Sequence, residues 1–405
     1  MTTRAEAREL GRIEIEPARG LLGLGRPVRR TYSLDDIALV PASSTLDPDD
    51  VDYSWCVGPH TLRLPFVASA MDSVVDVRMA VEIAALGGLA VLNLEGLATR
   101  YDHPEVPLAE IAAAVPDQVV GVLQRLYRVP IDDTLVATQI RAIKSAGAPC
   151  AVSMTPAAAA RLAPVAEEAG ADLLLVQSTV ITEEHRSARG RTVSLRALTA
   201  RARVPIMAGN CVGYQAALGL LEAGVAAVFV GVGPGAACTS RKVLGIGVPQ
   251  ATAICDVAAA RDEFARRTGR YVPIVADGGI AVGGDVAKAL ACGADAVMLG
   301  SALARAQEAP GGGFHWGMAT PHAALPRGTR IRVGTTGSLR QILLGPAGVD
   351  DGTHNLAEAL RTAMGLCGAA TIRQMHAAEI VIAPALGTEG KAAQFSQKVG
   401  QGRSP

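Results

Sequence analysis

Val272–Ser301, VPIVADGGIAVGGDVAKALACGADAVMLGS, holds the pattern that decides the fold. An unbroken apolar run ends in Asp277-Gly278, a helical pattern covers Gly284–Ala291, a Cys292-Gly293 pair follows, and a second apolar run closes the segment at Ala296–Ser301. Apolar runs without polar alternation are what strands buried on both faces require. A glycine directly after a helical segment suits the left-handed cap at a helix end. The segment therefore reads as one strand–helix–strand unit. Working outward, further runs appear at Pro65–Ser69, Gly88–Asn93, Cys150–Met154, Asp172–Gln177, Val204–Asn210 and Ala226–Gly231. Helical patterns over Val75–Leu86, Pro156–Ala169 and Tyr214–Ala223 lie between them, and Ala169-Gly170 and Ala223-Gly224 repeat the capping glycine. Eight strand–helix units in 405 residues predict an α/β fold of the (β/α)8 TIM-barrel type rather than a doubly wound sheet.

The composition bounds the function. Hydrophobic residues make up 49% and charged residues 19%, which provides for a large core and excludes wholesale disorder. Lys+Arg and Asp+Glu both number 38, so no nucleic-acid or anionic-membrane partner is expected. Aromatic residues at 3% leave little for base-stacking surfaces. No apolar stretch reaches the ~20 residues of a membrane span, and no secretory h-region is read near the start. The seven cysteines are scattered with no CxxC pair, so neither a disulfide framework nor a zinc ribbon is expected, and a reducing, cytoplasmic setting is. The expected organisation is an N-terminal arm over 1–30, one catalytic domain over 31–393 and a tail over 394–405. The Gly- and Pro-rich stretch Gly311–Gly337 is long for a barrel loop and is expected to form a lid.

In a TIM barrel the C-terminal strand ends carry the chemistry. Those ends are Ser69-Ala70-Met71-Asp72, Asn93, Gln177-Ser178, Asn210, the stretch from Gly231 to Thr239, Asp277-Gly278-Gly279 and Gly300-Ser301. After the sixth run comes GVGPGAACTSR, Gly231–Arg241. Alternating glycines let backbone groups converge on an ion and let a loop reshape. A single cysteine is more often a small buried hydrophobe, but Cys238 in such a loop is a candidate nucleophile for holding a carbon covalently. Asp277 is placed to accept a ribose diol, and the Gly278-Gly279 and Gly300-Ser301 turns sit where barrels build phosphate sites, flavin phosphates included. The lid holds Trp316, His315, His322, Arg327, Arg330 and Arg332. A metal site from His315 and His322 lacks an accompanying carboxylate cluster.

The loop GVGPGAACTSR with Val248-Pro249-Gln250, the VADGG…GDVAKALACGADAVMLGS segment, Ser69-Ala70-Met71-Asp72, Gly209-Asn210, Gly317-Met318 and Met364-Gly365 closely resemble the IMP dehydrogenase/GMP reductase family from about Thr31 to about Ala370. The chain is most similar to the short IMP dehydrogenase-related branch without the regulatory CBS-domain pair. That pair is inserted after the second unit in the full-length family, whereas here only about 55 residues separate Asn93 from the third run. The resemblance implies that Cys238 attacks C2 of the purine and that carbonyls of Gly233, Gly235 and Cys238 face a monovalent cation such as K+. It implies that Asp277 holds the ribose, that Gly279, Gly300 and Ser301 hold the phosphate, and that Gly317 and Met318 touch the base. Ser69, Met71, Asn210 and His315 line the substrate pocket, Gln177, Ser178 and Gly231 meet NAD, and Ser240 is a catalytic residue, standing where the reductases have a threonine that works with the lid glutamate in releasing ammonia. A homotetramer or octamer is expected.

The departures from the family pattern are specific. Ala236 stands where a phosphate-binding serine is usual, Gln177 where an aspartate contacts the dinucleotide, and His315 where a tyrosine is usual. Arg327-Gly328 replaces Glu-Gly. No tyrosine lies between Gly311 and Gly345, so the lid's water-activating Arg-Tyr pair has no counterpart, and Arg327 is the favoured base. The expected activity is NAD-dependent oxidation of IMP to XMP in guanine nucleotide synthesis. The alternatives are a GMP reductase using NADPH, a non-catalytic purine-nucleotide sensor and a flavin barrel. The missing lid carboxylate disfavours the reductase, and the intact cysteine loop disfavours the sensor.

Overall fold

Eight parallel strands close into a barrel in the computed structural model, which describes residues 19–22, 25–183, 194–317, 329–383, 390–397 and 399–400. The strands are β1 (Phe66–Ala68), β2 (Leu89–Asn93), β3 (Ala151–Met154), β4 (Leu173–Gln177), β5 (Ile206–Cys211), β6 (Ala227–Val230), β7 (Ile274–Asp277) and β8 (Ala296–Leu299). They follow one another around the barrel in chain order, with β8 pairing back to β1 through Val297 and Phe66. Each lies within the apolar run expected for it, or overshoots it by one residue at Cys211. Nearly every strand residue is buried, and a fully buried Leu or Phe contributes roughly 1.5–3 kcal/mol.

The outer layer consists of α1 (Val77–Leu86), α2 (Asp133–Ser145), α3 (Pro156–Ala169), α4 (Leu195–Arg201), α5 (Tyr214–Glu222), α6 (Gln250–Thr268), α7 (Gly283–Ala291) and α8 (Leu356–Leu366). Local chemistry sets their ends. The Asp76 side chain caps α1, Thr155 followed by Pro156 starts α3, and left-handed Gly87 and Gly170 stop α1 and α3. Among the described residues no helix is long and apolar enough to cross a membrane.

Two additions shape the mouth of the barrel. Between β2 and α2 the chain inserts the helices Glu105–Ala113 and Val119–Leu126. The expected lid begins and ends as an antiparallel ribbon, Phe314–Trp316 against Arg330–Arg332. The two additions share a second small core of Leu97, Ile111, Val119, Leu123, Leu126, Tyr127 and Trp316. Trp316 is fully buried and its Nε1 donates to the Tyr127 hydroxyl at 3.1 Å. Arg330 donates to the Ala112 carbonyl at 3.0 Å and stacks on Phe314 at 4.6 Å, so it fastens the ribbon to the insertion. Met318, His322, Arg327 and Gly328 lie outside the described residues. Of the expected arm, Arg19–Leu22 pairs with Arg26–Arg29, and Arg29 reaches Asp256 on α6.

Candidate active site

A cavity of about 370 Å³ opens among the C-terminal ends of the strands, and all eight strands contribute to its wall. At its base Asp277 Oδ2 accepts hydrogen bonds from Asn210 Nδ2 at 2.7 Å and from Gln177 Nε2 at 3.1 Å. Gln177 Nε2 also donates to Asn210 Oδ1 at 2.9 Å, and Asn210 Nδ2 to the Gly231 carbonyl at 2.9 Å. The ends of β4, β5, β6 and β7 are thus tied into one polar network. Burial pushes the Asp277 pKa up to about 6, against the downward pull of the Asn210 and Gln177 hydrogen bonds.

The cysteine loop is fixed at its root and exposed at its tip. Gly231 has φ +145°, and a Cβ there would stand 2.1 Å from the Asp277 carbonyl oxygen, so only glycine fits. Buried Gln250 donates to the carbonyls of Val230 at 2.9 Å and Asp277 at 3.2 Å, which clamps the loop's start onto β7. Cys238 is exposed rather than a buried hydrophobe, and its Sγ lies 3.3 Å from Oγ of buried Ser240. The Cys238 N–H donates to the Gly235 carbonyl at 3.0 Å. This turn engages one of the three carbonyls expected to face a monovalent cation. Just before the ribbon's second strand, the Thr329 N–H donates to the Ala237 carbonyl of this loop at 3.3 Å.

The corner expected to hold a phosphate, Gly279, Gly300 and Ser301, opens on the same cavity as Ser69 and Met71. His315 is buried, with Nδ1 3.3 Å from Ser73 Oγ, and its ring lies so close to Gly300 that a Cβ there would stand 3.1 Å from its Cε1. Burial lowers the His315 pKa to about 4, so at neutral pH it is an uncharged imidazole, not a standing cation for a phosphate. Gly317 also lines the cavity, as do Ser178 and Gly231.

One strand-end residue departs from expectation. Asp72 turns away from the cavity, and its Oδ2 accepts from the Tyr127 hydroxyl at 2.5 Å and the Leu97 N–H at 2.9 Å. It serves the insertion. Conversely, the wall holds Glu95, Ser153, Thr155 and Thr179, none of which was singled out from the sequence. Glu95 stands two residues beyond Asn93, so the strand-end rule could have found it; the family motifs simply do not point there.

The fold and site define an α/β barrel with a cavity of about 370 Å³ at the strand ends, lined in part by an exposed cysteine. A family model described as the IMP dehydrogenase / GMP reductase domain matches residues 31–392. An uncharacterized oxidoreductase of Mycolicibacterium smegmatis is 40% identical over 364 residues, covering 88% of this chain and 97% of that one. An inosine-5'-monophosphate dehydrogenase of Methanocaldococcus jannaschii is 27% identical over 470 positions, covering 88% and 93%. The crystal structure of an IMP dehydrogenase/GMP reductase-like protein of Corynebacterium glutamicum matches with a TM-score of 0.86 at 36% identity, covering 90% and 98%. This chain belongs to the IMP dehydrogenase/GMP reductase family, a family of oxidoreductases. The chain spans 97% of the length of the mycobacterial relative, whereas its alignment with the archaeal enzyme runs over 470 positions, more than the 405 residues present here.

Proposed function

We propose that this protein oxidises IMP to XMP, with NAD as hydride acceptor, through a covalent intermediate on Cys238. The observation that carries the reading is the exposed thiol on a loop clamped to β7, facing the same cavity as Asp277 and the Gly279, Gly300 and Ser301 corner. The ionised Asp277 accepts the ribose hydroxyls of IMP, and the glycine turns receive its phosphate. This delivers C2 of the purine to Cys238. The thiolate adds to C2, hydride leaves C2 for NAD, and a thioimidate remains on the sulfur. Water then adds at C2, the thiolate leaves, and XMP is released, so that IMP, NAD and water give XMP, NADH and a proton. Ser240 Oγ beside Sγ is placed to take the thiol proton's hydrogen bond. NAD supplies the hydride acceptor; the hydroxyls of Ser153, Thr155, Ser178 and Thr179 suit a hydroxyl-rich second ligand. Gln177, expected to meet NAD, spends its Nε2 on Asn210 and Asp277 and so serves the substrate side of the site. Arg327 is proposed to activate the water after the lid moves.

The same cysteine could serve GMP reduction, which expels ammonia; an arginine at position 327 gives that step no carboxylate partner. Incubation with IMP and NAD, followed by NADH absorbance, tests the reading, with GMP and NADPH as the reverse trial. NADH formation in the first and no NADPH loss in the second is the expected result. The opposite pair of outcomes would make the protein a reductase.

A further inference from the structure

We propose that Glu95 is the carboxylate that receives the ribose diol of the dinucleotide, an inference that rests on the reading of this site as a dehydrogenase. Among the described residues the cavity wall contains two acids, Asp277 and Glu95. Asp277 is bound into the Gln177–Asn210 network at the ends of β4 and β5. Glu95 stands on the side formed by β2 and β3, two residues past the end of β2. It is held at three points. Its N–H donates to Asn93 Oδ1 at 3.0 Å, its carbonyl accepts from Arg100 Nε at 3.1 Å, and its Oε2 accepts the Thr155 N–H at 2.6 Å. The other carboxylate oxygen, Oε1, makes no hydrogen bond among the described residues. No lysine or arginine lines the cavity among them.

A carboxylate preset in this way favours a ligand that brings paired donors and disfavours one that brings an anion. A vicinal diol is such a ligand; the pyrophosphate of a dinucleotide is not. Among the described residues the cavity wall carries no carboxylate at the end of β4. Where the family resemblance expects an aspartate for the dinucleotide, the chain has an amide whose Nε2 is committed to Asn210 and Asp277.

Glu95→Gln keeps the side-chain size and an acceptor for the Thr155 N–H; Glu95→Ala removes both. Two measurements separate the inference from the reading beneath it: steady-state KM values for NAD and IMP, and calorimetric NAD affinity of Cys238→Ala protein saturated with IMP, with and without the Glu95 change. Both Glu95 variants are expected to raise the KM and Kd for NAD by roughly 10-fold or more. The KM for IMP should stay within about twofold. An unchanged NAD Kd in Glu95→Gln overturns the inference. So does a fall in kcat at unchanged NAD KM, which would assign Glu95 to the chemical steps. If the wild-type protein forms no NADH from IMP, the dehydrogenase reading fails, and the calorimetry still decides: NAD binding that depends on Glu95 upholds the inference, and absence of NAD binding overturns it.

Discussion

Burial sets Asp277 against its own charge. Its pKa is raised to about 6 from the ordinary 3.8, so between those values the folded protein keeps a proton that the unfolded chain has released. Stability therefore falls as pH rises through this window, and the whole cost is present above about pH 6. Asp277→Asn removes the charge at constant shape. At pH 7 the variant should be more stable than wild type by up to about 2–3 kcal/mol in urea unfolding, a gain that closes as pH falls toward 4. Its IMP affinity should meanwhile drop by about 2–3 kcal/mol, because a charged acceptor for two hydroxyls is lost. A variant that gained no stability at pH 7, or bound IMP as well as wild type, would contradict the assignment. The place of Asp277 in the cavity wall was legible in the sequence, since the acid stands before Gly-Gly at a strand end. The turn of Asp72 away from the cavity was not. Its neighbours Ser69 and Met71 do face inward, and what draws the Asp72 carboxylate elsewhere is Tyr127, 55 positions along the chain.

The insertion after β2 and the lid ribbon act as a pair. Trp316, Tyr127 and Asp72 form a buried hydrogen-bonded chain from the ribbon through the insertion to the segment after β1. The ribbon in turn carries His315 and Gly317 into the cavity wall. Tyr127→Phe removes the acceptor of the Trp316 N–H and one donor to Asp72, which should cost about 1–3 kcal/mol of stability. It should also raise the KM for IMP, since the ribbon's position sets one wall of the site. Wild-type urea stability together with a wild-type KM would show that the chain of hydrogen bonds does not place the ribbon. Strands could be read from the sequence because burial on both faces writes itself into consecutive residues, as in Leu173–Gln177. The ribbon could not. Trp316 owes its burial to Leu97, Ile111 and Leu123, which lie about two hundred positions earlier, and no local pattern records that contact.

At the scale of the whole molecule, the barrel turns eight separate strand ends into one reaction chamber. Residues as distant in sequence as Ser69, Asn93, Gln177, Asn210, Cys238, Asp277 and Gly300 share a wall. The fold places Asp277, Gly279, Gly300 and Ser301, the proposed substrate contacts, on the β7 and β8 side and a second set of polar groups, Glu95 among them, on the β2 and β3 side. The central claim is that Cys238 holds the purine through the oxidation. Rapid quenching during turnover with IMP and NAD, followed by peptide mass spectrometry, tests this most directly. A nucleotide adduct with the mass of XMP less water should appear on the peptide containing Cys238, and neither adduct nor NADH should form in Cys238→Ala. NADH formation without that adduct, or a Cys238→Ala variant that keeps a rate within about tenfold of wild type, would contradict the account.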